Sequence, residues 1–257
     1  MSFCTFHFSS YPYSAFVPGE RNSNPTPAQS ANVVRKILRT LLSILTIIFL
    51  TGSCSSNGDK TSNFKGNFDT LHMPSDSLAF YFPLKEKWKD TTNNSLDTFV
   101  NAWYSKMLFA LKEPILYNYQ GDKEIYRFTW LRTFHNPVSV RLEKQNNVIR
   151  LLAKICKGAG GYEPDILSFD TTILVTTNEW TNLKTKIEDT KFWQLKTEKR
   201  EDIGSDGSEW IIEANKENKY HLVIRWLPSR EREGNFRDIG EYLVFLSKIK
   251  IEKDLFY

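Results

Sequence analysis

Between Ile125 and Trp226 the chain keeps returning to short extended runs, and two pairs of them are joined by connections too short for anything but a hairpin. Val138 to Lys144 (VSVRLEK) alternates apolar and polar residues without a break, and Val148 to Cys156 follows directly after Asn146-Asn147. A period of two over seven residues places alternate side chains on opposite sides of a strand, and a brief Asn-rich link brings the second strand back antiparallel. Glu209 to Ala214 and Tyr220 to Trp226 repeat the pattern around Asn215 to Lys219, with Pro228 ending the second strand. Ile125 to Arg132 (IYRFTWLR) and Ser168 to Thr176 complete six runs.

Three segments change to the helical period. Leu96 to Leu111 repeats Leu96, Phe99, Val100, Trp103, Met107, Leu108 and Leu111 at three- and four-residue spacing, with Asn94-Ser95 as its expected cap and Pro114 just beyond its end. Thr177 to Lys191 sets Trp180, Leu183 and Ile187 on one face, capped by Thr177 or Asn178. Phe236 to Ser247 buries Phe236, Ile239, Tyr242, Leu243 and Leu246. Six strands, mostly in hairpins, with three helices outside them predict an α+β domain on an antiparallel sheet. The strict strand–helix alternation of a dinucleotide-binding fold is missing.

A different kind of segment precedes this domain. Arg35, Lys36 and Arg39 lead into an apolar run that ends Thr51-Gly52-Ser53-Cys54. Counted from Ile37 to Leu50 the run is about fourteen residues, short of the roughly 20 needed to cross a hydrocarbon core of ~30 Å. Cations before a short apolar stretch and small residues after it are the order of an export signal. The final four residues resemble the lipobox of bacterial lipoproteins, with Thr51 where that family more often has leucine. The resemblance implies that the Cys54 thiol is diacylated, that the chain is cut just before it, and that its new amino group is acylated too. Ser55 follows, and the resemblance to lipoproteins implies, from the absence of Asp there, an outer-membrane address within the cell envelope. A plain secretory cleavage site and an uncleaved anchor are the alternatives.

These features divide the chain into 1–32, a Ser-, Pro- and Asn-rich extension expected to precede the true start at Val33 or Val34; 33–53, the signal; 54–77, a polar tether; and 78–257, one globular domain. Residues 1–53 hold four cations (Arg21, Arg35, Lys36, Arg39) and one anion (Glu20), so of 34 cations and 30 anions the mature chain keeps 30 and 29. A near-neutral domain gives no support to nucleic-acid binding, which would want a clustered positive stripe; the lipobox resemblance implies membrane contact through the lipid, with an envelope protein or glycan as the further expected partner.

Little in the sequence carries catalytic chemistry. Gly158-Ala159-Gly160-Gly161 lacks the Lys-Ser/Thr of a phosphate loop and reads as a plain loop. Ser205-Asp206-Gly207-Ser208 is not a nucleophile elbow. After Cys54, His72, His135 and His221 stand apart, without metal-ligand spacing, so neither metal nor cofactor is expected. Cys156 has no disulfide partner in the mature chain and reads as a buried small hydrophobe.

One polar constellation stands out. If the second hairpin pairs residues whose numbers sum to 434, Glu213 faces His221 and Glu209 faces Arg225 on one side of the sheet, where Arg127 or Arg132 joins them. Carboxylate, imidazole and guanidinium together suit a binding pocket or general acid–base work; the simpler reading is a polar side turned to water. The expected function is that of a lipid-anchored envelope protein with a non-catalytic binding or structural domain. The alternatives are an envelope hydrolase of a glycan, peptide or ester built on Glu213 and His221, and a sugar- or lipid-holding cleft lined by Trp130, Trp210 or Trp226. The blocks YRFTWLRTFHNPVSVR, GAGGYEPDIL, GSDGSEW and YHLVIRWLP resemble a group of uncharacterised bacterial proteins, a likeness that implies no activity.

Overall fold

A computed structural model describes residues 71–85, 93–199, 206–251 and 256–257. The leader, Cys54 and most of the tether lie outside the described residues. Within them six strands form a single antiparallel sheet: β1 (Glu124–Arg132), β2 (Val138–Gln145), β3 (Val148–Gly158), β4 (Pro164–Leu174), β5 (Ser208–Lys216) and β6 (Lys219–Trp226). Helices α1 (Thr98–Ala110), α2 (Thr177–Asp189) and α3 (Arg230–Ser247) complete the expected α+β fold.

The strand order is β4-β3-β2-β1-β5-β6. β2, β3 and β4 meander outward from β1; the chain then returns through α2 and lays β5 against the free side of β1. One side of the sheet carries Tyr126, Phe128 and Trp130 of β1, Val140 and Leu142 of β2, and Trp210 and Ile212 of β5, packed beneath α2 and α3 in the main core. The opposite side carries Leu131, Ile211, Leu222 and Ile224, covered by α1 and the 81–82 segment in a second core. Both sides of the central strands are therefore buried, which is unusual for an antiparallel sheet.

α1 starts two residues later than its apolar spacing predicts. Its cap is Asp97, whose carboxylate accepts from the Val100 N–H at 3.0 Å. Its inner face is partly polar: Asn101 donates to the Phe82 carbonyl at 2.7 Å, and Ser105 accepts from the Tyr81 N–H at 2.9 Å. Phe99, expected in the core, is exposed. The expected cap Asn94 sits instead at φ 69° and clips the outer edge of β6, as described below.

α2 is capped by Thr176 in a full capping box with Glu179, one residue ahead of the expected caps. α3 opens with a polar turn capped by Ser229, leaves helical geometry at Glu233 (φ −139°, ψ 31°), and runs on from Gly234, close to the expected start at Phe236. The domain is also fastened earlier than Leu78, since the Ile115 N–H donates to the His72 carbonyl at 2.9 Å.

The Gly158–Gly161 loop is a packing device. Gly160 donates to the His135 carbonyl and Gly161 to that of Thr133, and a Cβ on Gly160 would lie 2.7 Å from the Arg132 nitrogen. These amides are consumed by the β1–β2 turn, so the loop holds two strand ends together.

Candidate functional site: a buried ionic row

The polar side of the central strands is buried rather than wet. Arg127 and Glu213, which are register partners on β1 and β5, are both fully enclosed, which overturns the water-facing reading. Arg127 Nε donates to Glu213 Oε2 at 2.7 Å, and Tyr220 from β6 donates its hydroxyl to Glu213 Oε1 at 2.9 Å. On its other side Arg127 Nη1 donates to the Pro114 carbonyl at 2.6 Å and stands 3.5 Å from Glu113 Oε2.

Glu113 is the hub of the row. Arg141 Nε on β2 reaches its Oε2 at 2.7 Å, and Lys154 Nζ on β3 reaches its Oε1 at 3.1 Å. Arg141 also pairs with Glu143, whose second oxygen takes Lys123 at 3.0 Å. The row thus runs from β6 to β3 with cations and carboxylates in turn. Burial alone would raise the Glu113 pKa, but Arg141, Lys154 and Arg127 together hold it below the usual carboxylate range. For Glu213 burial wins and its pKa is raised, with Arg127 and Tyr220 working against the rise.

His221 and Arg225 are not in this row. The β5–β6 register sums to 435, pairing Ala214 with His221 and Glu213 with Leu222. The turn explains the difference. Its two central residues, Glu217 and Asn218, both have positive φ (52° and 61°), the signature of a tight two-residue hairpin, which forces Lys216 opposite Lys219. A slip of one residue moves a strand's entire set of side chains to the other side of the sheet. His221 consequently lies under the 192–194 turn, its ring 5.0 Å from that of Phe192 and 5.8 Å from that of Trp193. Burial lowers its pKa. Arg225 donates from Nε to Glu233 at 2.8 Å and lies over the Phe236 ring.

Arg132 is set apart too, stacked over the Trp130 ring at 4.3 Å. Glu209 lies on the same side as Glu213 but at the far end of β5, next to Leu131 and close to Tyr104 of α1, with its Oε2 buried and unpartnered. Trp130 and Trp210 sit together in the main core with ring centroids 5.5 Å apart, so they line no cleft; Trp226 is half-buried.

Sequence reasoning found Arg127 and Glu213 but missed Glu113, Arg141 and Lys154. Arg141 and Lys154 occupy the polar positions of alternating strands, a visible signal. Glu113 gave none, because its role depends on the turn after α1 crossing over three strands.

Chemically, both oxygens of Glu213 take hydrogen bonds from Arg127 and Tyr220, and Glu113 accepts from Arg141 on Oε2, while its Oε1 lies 3.1 Å from the Lys154 ammonium without a hydrogen bond. Of the sequence-predicted residues, Arg225 borders a cavity of about 340 Å³ with Lys199, Arg230 and Glu233. No group of three His, Cys, Asp or Glu suited to a metal occurs among the described residues. Cys156 is buried, and burial pushes its thiol up to about 11, which suits packing rather than nucleophilic attack. No described helix is long and apolar enough to cross a membrane.

Glu209 makes stability depend on pH. Burial, aided by Glu198, pushes its pKa up to about 7, while the Tyr104 hydroxyl pulls the other way. An acid whose folded pKa exceeds its unfolded value destabilises the fold as pH rises through that interval, here from about 4.5 to about 7, by up to roughly 3 kcal/mol. Glu209→Gln is therefore expected to raise the urea midpoint above that of the parent at pH 8, with the gap shrinking severalfold at pH 5 and closing near pH 4. An equal gap at pH 8 and at pH 5 would contradict this assignment.

No family model and no curated protein matches the chain.

Proposed function

We propose that the chain is a lipoprotein of the cell envelope, held in the outer membrane by acyl chains on Cys54, whose folded domain acts as a non-catalytic binding module. The observation that carries this reading is the residue order Arg35, Lys36, Arg39, apolar run, Thr51-Gly52-Ser53-Cys54. Each buried methylene contributes about 0.8 kcal/mol, and one chain alone holds only weakly, so two or three chains give stable anchorage. The architecture of the domain supports the non-catalytic half. Its Glu213 and His221 are on opposite sides of the sheet, and its fully buried carboxylates are committed to neighbouring strands.

Cys54→Ser provides the test. The parent is expected in the membrane fraction, resisting high salt and alkaline washing and released by detergent. The variant is expected either to accumulate unprocessed or to leave with the soluble fraction. Equal, detergent-dependent retention of a processed Cys54→Ser chain would overturn the proposal.

A further inference from the structure

The two edges of the sheet are treated differently. The outer side of β6 is closed by specific hydrogen bonds: Leu222 N–H donates to Asn94 Oδ1 at 2.8 Å, Asn94 Nδ2 donates to the Tyr220 carbonyl at 3.3 Å, and Ile224 N–H donates to the Thr197 carbonyl at 2.7 Å. The other edge, β4, has β3 on one side and no strand on the other among the described residues. Edge strands present unpaired amides and carbonyls, and proteins ordinarily blunt them with lysine, proline or a covering segment. Here the only proline is Pro164 at the start, and 162–174 contains no cation.

Two register irregularities between β3 and β4 fall in the first half of β4, before Phe169. From Phe169 to Leu174 the ladder is regular, opposite Ile155 to Arg150. α1 packs against β4 and reaches Glu163 through Lys106, but no backbone hydrogen bond from another described residue takes up the outward groups of the 169–174 stretch. Its side chains alternate, with Phe169 and Ile173 on one side and Asp170 and Leu174 on the other. Leu174 is 75% exposed and Phe169 39%, and Ile166 just before them is 63% exposed. The register neighbour of Asp170 is Lys154, whose ammonium is already committed to Glu113 and the Lys112 carbonyl. No described residue forms an ion pair with Asp165 or Asp170, while Glu163 is held by Lys106.

We propose that β4 is a docking edge for an extended polypeptide segment of alternating cationic and apolar residues, added as a seventh strand along Phe169–Leu174. Main-chain hydrogen bonds would supply affinity in such strand addition, and alternate side chains the selectivity. An apolar residue falls opposite Phe169 and a Lys or Arg opposite Asp170, where opposite charges across a strand pair are favourable. A second copy of this chain fits less well. Antiparallel pairing of two β4 strands about Phe169 sets Asp170 of each copy diagonally beside that of the other. The inference rests on the binding-module reading and specifies its partner. Its test does not depend on the acyl state of Cys54, so the two fail separately.

The probe is an eight-residue peptide alternating lysine and valine, titrated into the full chain in detergent at low salt. Binding is expected, weakened about tenfold or more by Asp170→Lys and regained by that variant with a glutamate–valine peptide. N-methylation of the peptide amides that face the edge should abolish binding. Binding that is indifferent to N-methylation, or equal for the parent and Asp170→Lys, would overturn the proposal. So would a parent that sediments as a dimer and becomes a monomer on Phe169→Lys, because β4 would then be filled by its own copy. Asp170 and Phe169 are exposed enough that neither change should threaten folding, which a far-ultraviolet spectrum would verify.

Discussion

Glu113→Ala is expected to cost about 3–5 kcal/mol of folding stability, the usual penalty for removing one member of a buried ion pair. Glu113 is fully buried and receives Arg141 and Lys154 directly, with Arg127 close by. Its loss leaves like charges enclosed under α1 with only Glu213 and Glu143 to balance them. A domain of this kind has about 5–15 kcal/mol in hand, so the variant loses a large share of it. Urea unfolding at pH 7 reads the effect as a lowered midpoint at unchanged slope. A double change, Arg127→Met with Glu213→Leu, should be far milder than Arg127→Met alone, because it removes both charges and leaves neither stranded. If Glu113→Ala lowered the midpoint by no more than an exposed carboxylate change such as Glu188→Ala, the row would have no structural weight.

Gly240→Val is the second large effect. Gly240 lies on the inner face of α3, where a Cβ would stand 2.6 Å from Trp210 Cζ3, 2.8 Å from Trp210 Cε3 and 3.1 Å from Phe128 Cε2. Both rings are fully buried and packed on each other at 4.9 Å. Neither is the far end of a flexible side chain, so α3 itself has to lift from the sheet. The expected loss is about 3 kcal/mol, at the upper end of overpacking, with Gly240→Ala between it and the parent. Glycine is a poor helix residue, so on an open surface both changes would stabilise. A rise in melting temperature for Gly240→Ala would mean that α3 does not sit where described.

Much of the fold was legible because strands and helices here follow clean periods. The β2–β3 hairpin shows in the strict alternation of VSVRLEK and in the Asn146-Asn147 turn. What escaped has physical reasons. α1 is apolar on most sides, so its spacing did not reveal which face turns inward; Asn101 and Ser105 took the inner face by hydrogen-bonding the 81–82 segment, and Phe99 was left outside. Asn94 could serve equally as helix cap or edge clip, and the choice depends on where β6 lies. The first turn of α3 is almost wholly polar and shows no apolar period, its direction resting on Ser229 and on Arg225 holding Glu233.

The candidate site was half legible. Polar positions on alternating strands were visible, but alternation does not tell a wet side from a covered one. The partner of Arg127 was found because it is one strand away, while Glu113 reaches the row through a connection. The slip that placed His221 beside Glu213 came from a turn without glycine, whose two positive φ values fall on Glu217 and Asn218.

The most direct measurement is the intact mass of the mature protein extracted from membranes. The account predicts a chain beginning at Cys54 and heavier than its sequence by a diacylglyceryl group, with or without a third acyl chain on the amino group. A membrane-derived chain with an unmodified Cys54 would contradict it.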